Sequence, residues 1–232
     1  MSILKAEHIS TGYGKKQVLF DVNMEIEQGE FVLLVGSNGS GKSTFFKAIY
    51  KQLDLWDKNG KIFYENQDIT RNKTRQLAPK GLVYIPQKNE LFDDLSLLEN
   101  LELSILHLNN KTEIQQRIDK ILEQFPNFQK KTKQEVNKLS GGERKLLSLC
   151  MALLNNPKIL LYDEPLAGLS KDNIGMVFDV LKKIKQKGIT LVVIEHRIKE
   201  LFPLADRVLG FKLGKLYTEN LNSLDNIKRF MV

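Results

Sequence analysis

Apolar positions along the chain change period several times, and each change predicts an element. Val22, Met24 and Ile26 alternate with polar residues, which predicts a half-exposed strand. Gln28-Gly29-Glu30 turns the chain into Phe31–Val35, a continuous apolar run of buried-strand length. A Gly-rich loop follows, and Lys42–Gln52 reads as a helix. Lys61–Tyr64 and Gly81–Ile85 read as further strands, the second ended by Pro86 and Gln87.

Between Leu91 and Asn156 the period becomes helical. Ile114, Ile118, Ile121, Leu122 and Phe125 recur at helical spacing. Glu143–Leu154 is a second helix, with Leu146, Leu147, Cys150, Leu153 and Leu154 on its buried side, and Asn155-Asn156-Pro157 stops it. Lys158–Tyr162 is a buried strand ending in Asp163-Glu164. Ile174–Lys187 is a helix closed by Gly188, and Thr190–Ile194 is a third buried strand ending in Glu195-His196. Arg207–Phe211 and Lys215–Tyr217 are short closing strands. Buried strands alternating with helices predict a parallel α/β core, and the helical stretch that interrupts it predicts an inserted lobe.

Composition narrows the class. The 232 residues are 42% hydrophobic, enough for a sizeable core, and 27% charged. The net charge of +7 allows nucleic acid, an anionic membrane surface or a phosphorylated ligand as partner. The clusters Lys130, Lys131, Lys133 and Lys182, Lys183, Lys185, Lys187 read as solvated surface, and no aromatic residues interleave with them as single-strand binding requires. The single cysteine, Cys150, excludes an intramolecular disulfide and reads as core. Met1-Ser2-Ile3-Leu4-Lys5 does not resemble a signal peptide. Apolar runs such as Leu191–Ile194 fall far short of the roughly 18 residues of a membrane span. The expectation is a soluble protein whose membrane role, if any, comes through a partner.

Two segments carry phosphate chemistry. Gly36-Ser37-Asn38-Gly39-Ser40-Gly41-Lys42-Ser43-Thr44 fits G-x-x-x-x-G-K-[ST] between a strand and a helix. The glycines let backbone N–H groups curl round phosphate oxygens, Lys42 reaches the β- and γ-phosphates, and the Ser43 hydroxyl can ligate Mg²⁺. The following helix N-terminus adds partial positive charge. Asp163 closes a buried strand at the carboxyl edge of the sheet, where it would hold Mg²⁺, and adjacent Glu164 could polarise a water.

Leu139-Ser140-Gly141-Gly142-Glu143 then resembles the signature of ABC-type ATPases. Taken alone it is a helix-capping turn, and its serine hydroxyl and glycine N–H groups suit an anion. The resemblance extends over essentially the whole chain, with the motifs in family order. It implies a P-loop NTPase (RecA-like) core, formed by 1–87 and 156–232, with an N-terminal antiparallel β subdomain. It implies an inserted α-helical subdomain over 88–155. It implies ATP and Mg²⁺ as cofactors, with Ser140, Gly141 and Gly142 contacting the γ-phosphate held by a second ATPase subunit in a head-to-tail dimer. Tyr13 matches the aromatic that stacks on adenine. Gln87 matches the glutamine that senses Mg²⁺ and water and couples to the membrane partner. His196 matches the switch histidine that contacts the γ-phosphate and orients Glu164. Integral membrane transporter subunits are the implied partners, docking beside Gln87 and the 88–106 segment, at the inner face of the cell membrane. No nucleic acid partner is expected.

Two positions depart from the pattern: Ser170 stands where many members have Asp, and Tyr162 is polar in an otherwise apolar strand. Ala167-Gly168-Leu169, Tyr84–Gln87 and Ile194–Arg197 resemble the branch that contains the branched-chain amino acid uptake ATPases, to which the lipopolysaccharide-export ATPases are close. A non-transport regulatory or DNA-associated ABC ATPase is the alternative, disfavoured by a single cassette without long heptad repeats. An unrelated P-loop kinase would lack the 139–143 segment and His196.

Overall fold

The computed structural model describes residues 1–88, 91–218 and 221–231. The chain opens with β1 (Ser2–Tyr13), β2 (Lys16–Glu27), β3 (Phe31–Val35), α1 (Lys42–Ile49), β4 (Lys61–Tyr64), β5 (Gln67–Asp68) and β6 (Leu82–Ile85). A helical stretch follows: α2 (Leu97–Ser104), α3 (Lys111–Gln124), α4 (Pro126–Gln129) and α5 (Gly141–Leu153). Then come β7 (Ile159–Asp163), α6 (Lys171–Gln186), β8 (Thr190–Ile194), α7 (Ile198–Leu201), β9 (Arg207–Lys212), β10 (Lys215–Tyr217) and α8 (Leu224–Met231).

Two sheets form. The larger has the order β10-β9-β3-β8-β7-β6, parallel except for the β9–β10 hairpin. The smaller is antiparallel, in the order β2-β1-β4-β5. The central strands are buried on both faces, which explains their unbroken apolar runs. Side chains alternate across β3. Phe31, Leu33 and Val35 join the core shared with Leu147, Cys150, Val177 and Leu181 of α5 and α6. Val32 and Leu34 join the core shared with Phe45, Phe46 and Ile49 of α1 and with Leu4, Ile26 and Ile62 of the small sheet. Each such side chain contributes about 1.5–3 kcal/mol on burial. The period-2 pattern at Val22, Met24 and Ile26 is what the small sheet needs, since its outer face is exposed.

Several boundaries differ from the sequence reading. The helix after the phosphate loop stops at Ile49, not Gln52, because Lys51 turns into left-handed backbone at φ 59°. The helix expected over Ile174–Lys187 is Lys171–Gln186, starting a turn earlier after Ser170. The signature helix is α5, Gly141–Leu153, and is buried more widely than one stripe: Leu149 is fully enclosed, while Leu153 is half-buried. In the lysine clusters Lys130, Lys133, Lys182 and Lys183 are exposed as expected, whereas the other three make side-chain bonds. Lys131 pairs with Glu143, Lys187 donates to Gln124 Oε1 at 2.9 Å, and Lys185 bridges Leu204 O at 2.8 Å and Asp206 Oδ1 at 2.6 Å. Asp206 in turn accepts from the Phe31 N–H at 2.8 Å, so this lysine helps fix the start of β3. The 88–106 segment includes Asn89 and Glu90, which lie outside the described residues.

Candidate active site

The carboxyl ends of four adjacent strands, β3, β8, β7 and β6, meet at one edge of the large sheet. That edge is where an open parallel sheet leaves a ligand crevice. From β3 the chain enters the loop Gly36–Gly41. Gly36 has φ 152°, and a Cβ there would lie 2.3 Å from Phe211 O, so glycine alone fits against β9. Ser37, Asn38 and Gly39 are exposed, whereas Gly36, Ser40, Gly41, Lys42 and Thr44 are buried and Ser43 half-buried. The Lys42 ammonium, 5% exposed as a residue, donates to Gly36 O at 2.8 Å and Ser37 O at 3.0 Å. Burial pushes its pKa down, and the charges of Glu164 and Asp163 pull against that. The loop is thus folded round a cation already aimed into it.

Asp163 ends β7 and is 2% exposed. Burial raises its carboxyl above the usual range, opposed by a hydrogen bond from Ser43. Its Oδ1 is buried without a hydrogen-bond partner. An anionic oxygen with unused capacity beside a serine hydroxyl is a donor set that fits a hard cation such as Mg²⁺.

Glu164 follows in left-handed backbone, φ 53°, and its N–H donates to Ile194 O at 2.9 Å. Its carboxylate is met by residues from the two neighbouring strand ends. Gln87, just beyond β6, donates through Nε2 to Oε2 at 2.5 Å. His196, just beyond β8, places Nε2 3.2 Å from Oε1, close in distance but out of hydrogen-bonding alignment. Tyr13, at the end of β1, stands exposed beside α1. Its hydroxyl is 3.4 Å from Thr44 Oγ1, and the Lys47 ammonium lies 5.8 Å from its ring centre.

Ser140 caps α5 in a reciprocal box. Its Oγ accepts from Glu143 N–H at 3.3 Å, and Glu143 Oε2 accepts from Ser140 N–H at 2.9 Å. Gly142 is packed so closely on Asn173 that a Cβ would lie 2.5 Å from that side chain. Among the described residues no hydrogen bond or ion pair joins Ser140–Gly142 to Gly36–Thr44. Tyr162 is fully buried, with its hydroxyl 3.3 Å from Ser148 Oγ on α5. Sequence reading does not single out Glu195, a buried carboxylate that bonds the segments on either side of the site; its only signal is an acidic residue directly before the strand-end histidine.

A phosphate loop between a strand and a helix, with an acidic pair at the end of a neighbouring parallel strand, defines a P-loop nucleoside triphosphatase. Comparison with known proteins narrows this. The sequence pattern of the ABC transporter family matches residues 19–167. The chain is 32% identical to the high-affinity branched-chain amino acid transport ATP-binding protein BraG of Pseudomonas aeruginosa, over 92% of this chain and 91% of that protein. It is 31% identical to the lipopolysaccharide export ATP-binding protein LptB of Haemophilus influenzae, over 93% and 89%. Among solved structures, a nucleotide-free ATP-binding cassette of an ABC transporter superposes with a TM-score of 0.86 at 28% identity, covering 99% of this chain and 95% of that one. A dimeric cassette in a post-hydrolysis state with ADP and Pi superposes with a TM-score of 0.81 at 26% identity, covering 95% and 99%. The chain belongs to the ABC transporter family. It is the ATP-binding subunit of such a transporter, and an ATPase. Among the described residues no helix is long and apolar enough to cross a membrane.

Proposed function

We propose that two copies of this cassette, or this chain and a related one, close on two ATP molecules and drive substrate movement by separate membrane subunits. The observation that carries the reading is the convergence of Gln87 and His196 on the carboxylate of Glu164, one residue from Asp163. Lys42 and the N–H groups of Gly36–Thr44 hold the β- and γ-phosphates, and Tyr13 carries the adenine. Ser43 and Asp163, with Gln87 nearby, would hold Mg²⁺, which when bound supplies positive charge to the phosphate oxygens. Glu164 orients a water and takes its proton. Gln87 holds one carboxylate oxygen by a hydrogen bond and His196 stands beside the other, so that Glu164 faces the γ-phosphate side. Ser140, Gly141 and Gly142 complete the site of the partner subunit. Among the described residues no hydrogen bond or ion pair joins them to the phosphate loop of their own chain, which supports this, as does the dimeric relative.

In this reading 1–87 and 156–232 are the nucleotide-binding core and 88–155 the helical signature lobe, with membrane subunits docking beside Gln87. Amino acid uptake is the cargo reading favoured by the branched-chain relatives. Phosphate release from Mg-ATP tests the core of the proposal. Glu164→Gln is expected to keep ATP affinity and lose turnover by about 10²-fold or more; retained turnover would remove Glu164 as the base. Co-purification with a membrane protein, and uptake of labelled leucine by the reconstituted complex, tests the transport part.

A further inference from the structure

Beyond Asp163 the sheet edge holds bonds that the roles above leave unused. β7 and β8 pair in parallel up to Asp163 beside Ile194, and the Glu164 N–H to Ile194 O is the last backbone link. There the strands give way to two turns, 164–170 and 195–197, and side chains take over. Glu195, 2% exposed, lies between them. Its Oε2 accepts from the Leu166 N–H at 3.0 Å. Its Oε1 accepts from the N–H groups of His196 at 2.7 Å and Arg197 at 2.9 Å. Arg197 Nη1 then donates to Leu169 O at 3.1 Å. The segment that carries Glu164 is therefore fastened at two points to the segment that carries His196.

This fastening answers a need. Glu164 holds left-handed backbone, a conformation that costs a residue with a side chain about 1–2 kcal/mol and persists only where its surroundings impose it. Ser170, at the far end of the turn, makes no side-chain bond to the start of α6. Three N–H donors converging on one buried group also explain why that group is a carboxylate. Charge-assisted bonds offset its desolvation, and an amide could serve only one side. We infer that Glu195 is a positioning residue for ATP hydrolysis, locking the turn after Glu164 to the His196 loop, with Arg197 holding the turn's far end. The inference rests on Glu164 being the hydrolytic carboxylate.

Glu195→Gln tests it selectively. The amide oxygen can still accept from His196 and Arg197, while the NH₂ group faces the Leu166 N–H and cuts the link between the two segments. The kcat for ATP hydrolysis is expected to fall about 10- to 100-fold, the loss of one charge-assisted bond in the reacting geometry. The KM and Kd for ATP are expected to stay within about twofold, because the phosphate loop is untouched. Arg197→Ala, at an exposed side chain, is expected to lower kcat about two- to tenfold with Kd unchanged. If Glu195→Gln does not fold, Arg197→Ala carries the test alone. Unchanged kcat in the folded variants, or kcat and ATP affinity lost together, would overturn the inference. Glu164→Gln run alongside separates the levels. Retained turnover in it removes the reading of Glu164 itself. Lost turnover in it, with kcat intact in the other two, removes only the lock.

Discussion

At the residue scale the site is a set of groups held against their own preferences. Lys42 is buried with its ammonium on backbone carbonyls that ATP would replace by phosphates. Lys42→Ala is expected to weaken ATP binding about 10- to 100-fold, the share of a charge-assisted contact, by nucleotide titration. Asp163 has a raised pKa, so the folded protein binds its proton more tightly than the unfolded chain does. Such a group favours folding below the unfolded value of 3.8, and that advantage is lost as pH rises through the folded value. At neutral pH, where the unfolded chain gives up this proton freely, the buried carboxyl group thus opposes stability. Asp163→Asn is expected to raise the Tm of the nucleotide-free protein at pH 7, with the gain vanishing below pH 3.8, while Mg²⁺-dependent turnover is lost. An unchanged or lowered Tm at pH 7 would mean that the charge is compensated in the resting site. Gly36 is the opposite case, a position fixed by space: Gly36→Ala is expected to cost about 1–3 kcal/mol in denaturant unfolding, since its Cβ would strike Phe211 O.

At the element scale most of the fold was legible, and the shortfalls have physical causes. β3 and β8 ended where the apolar runs end, because burial on both faces leaves no tolerance for a polar residue. Helix ends were less legible. A backbone reversal at Lys51 cut α1 short, and Ser170 opened α6 a turn before its apolar stripe begins. Gln87, the Asp163-Glu164 pair and His196 were each placed at a strand end from sequence. That Gln87, Glu164 and His196 meet was not legible without the family resemblance, because it follows from β6, β7 and β8 lying side by side, and strand order leaves no local mark. Glu195 shows the same limit, since nothing in Ile194–Arg197 says that its carboxylate crosses to Leu166. The signature helix was legible through its apolar stripe and the capping turn before it; the reciprocal capping box, which the structure adds, makes it testable as an element. Ser140→Ala is expected to destabilise α5 by about 1 kcal/mol and to reduce ATP turnover, whereas an isolated cap elsewhere would affect stability alone.

At the scale of the whole molecule the architecture divides the work. The large sheet gathers the phosphate loop, the acidic pair, Gln87 and His196 at one edge. The helical stretch between β6 and β7 presents Ser140–Gly142, which makes no bond to that edge among the described residues. In the proposed reading a chain built this way holds two half-sites, and its hydrolysis depends on pairing. ATPase rate is therefore expected to rise more steeply than linearly with protein concentration below the dimer dissociation constant. The central claim is that ATP joins two such chains through these half-sites, and the mass of Glu164→Gln in solution tests it most directly. With saturating Mg-ATP the variant is predicted to run at twice the monomer mass by light scattering, and to return to monomer when Ser140 is also changed to a bulky residue. A monomer at every ATP concentration, in protein shown to bind ATP, would contradict it.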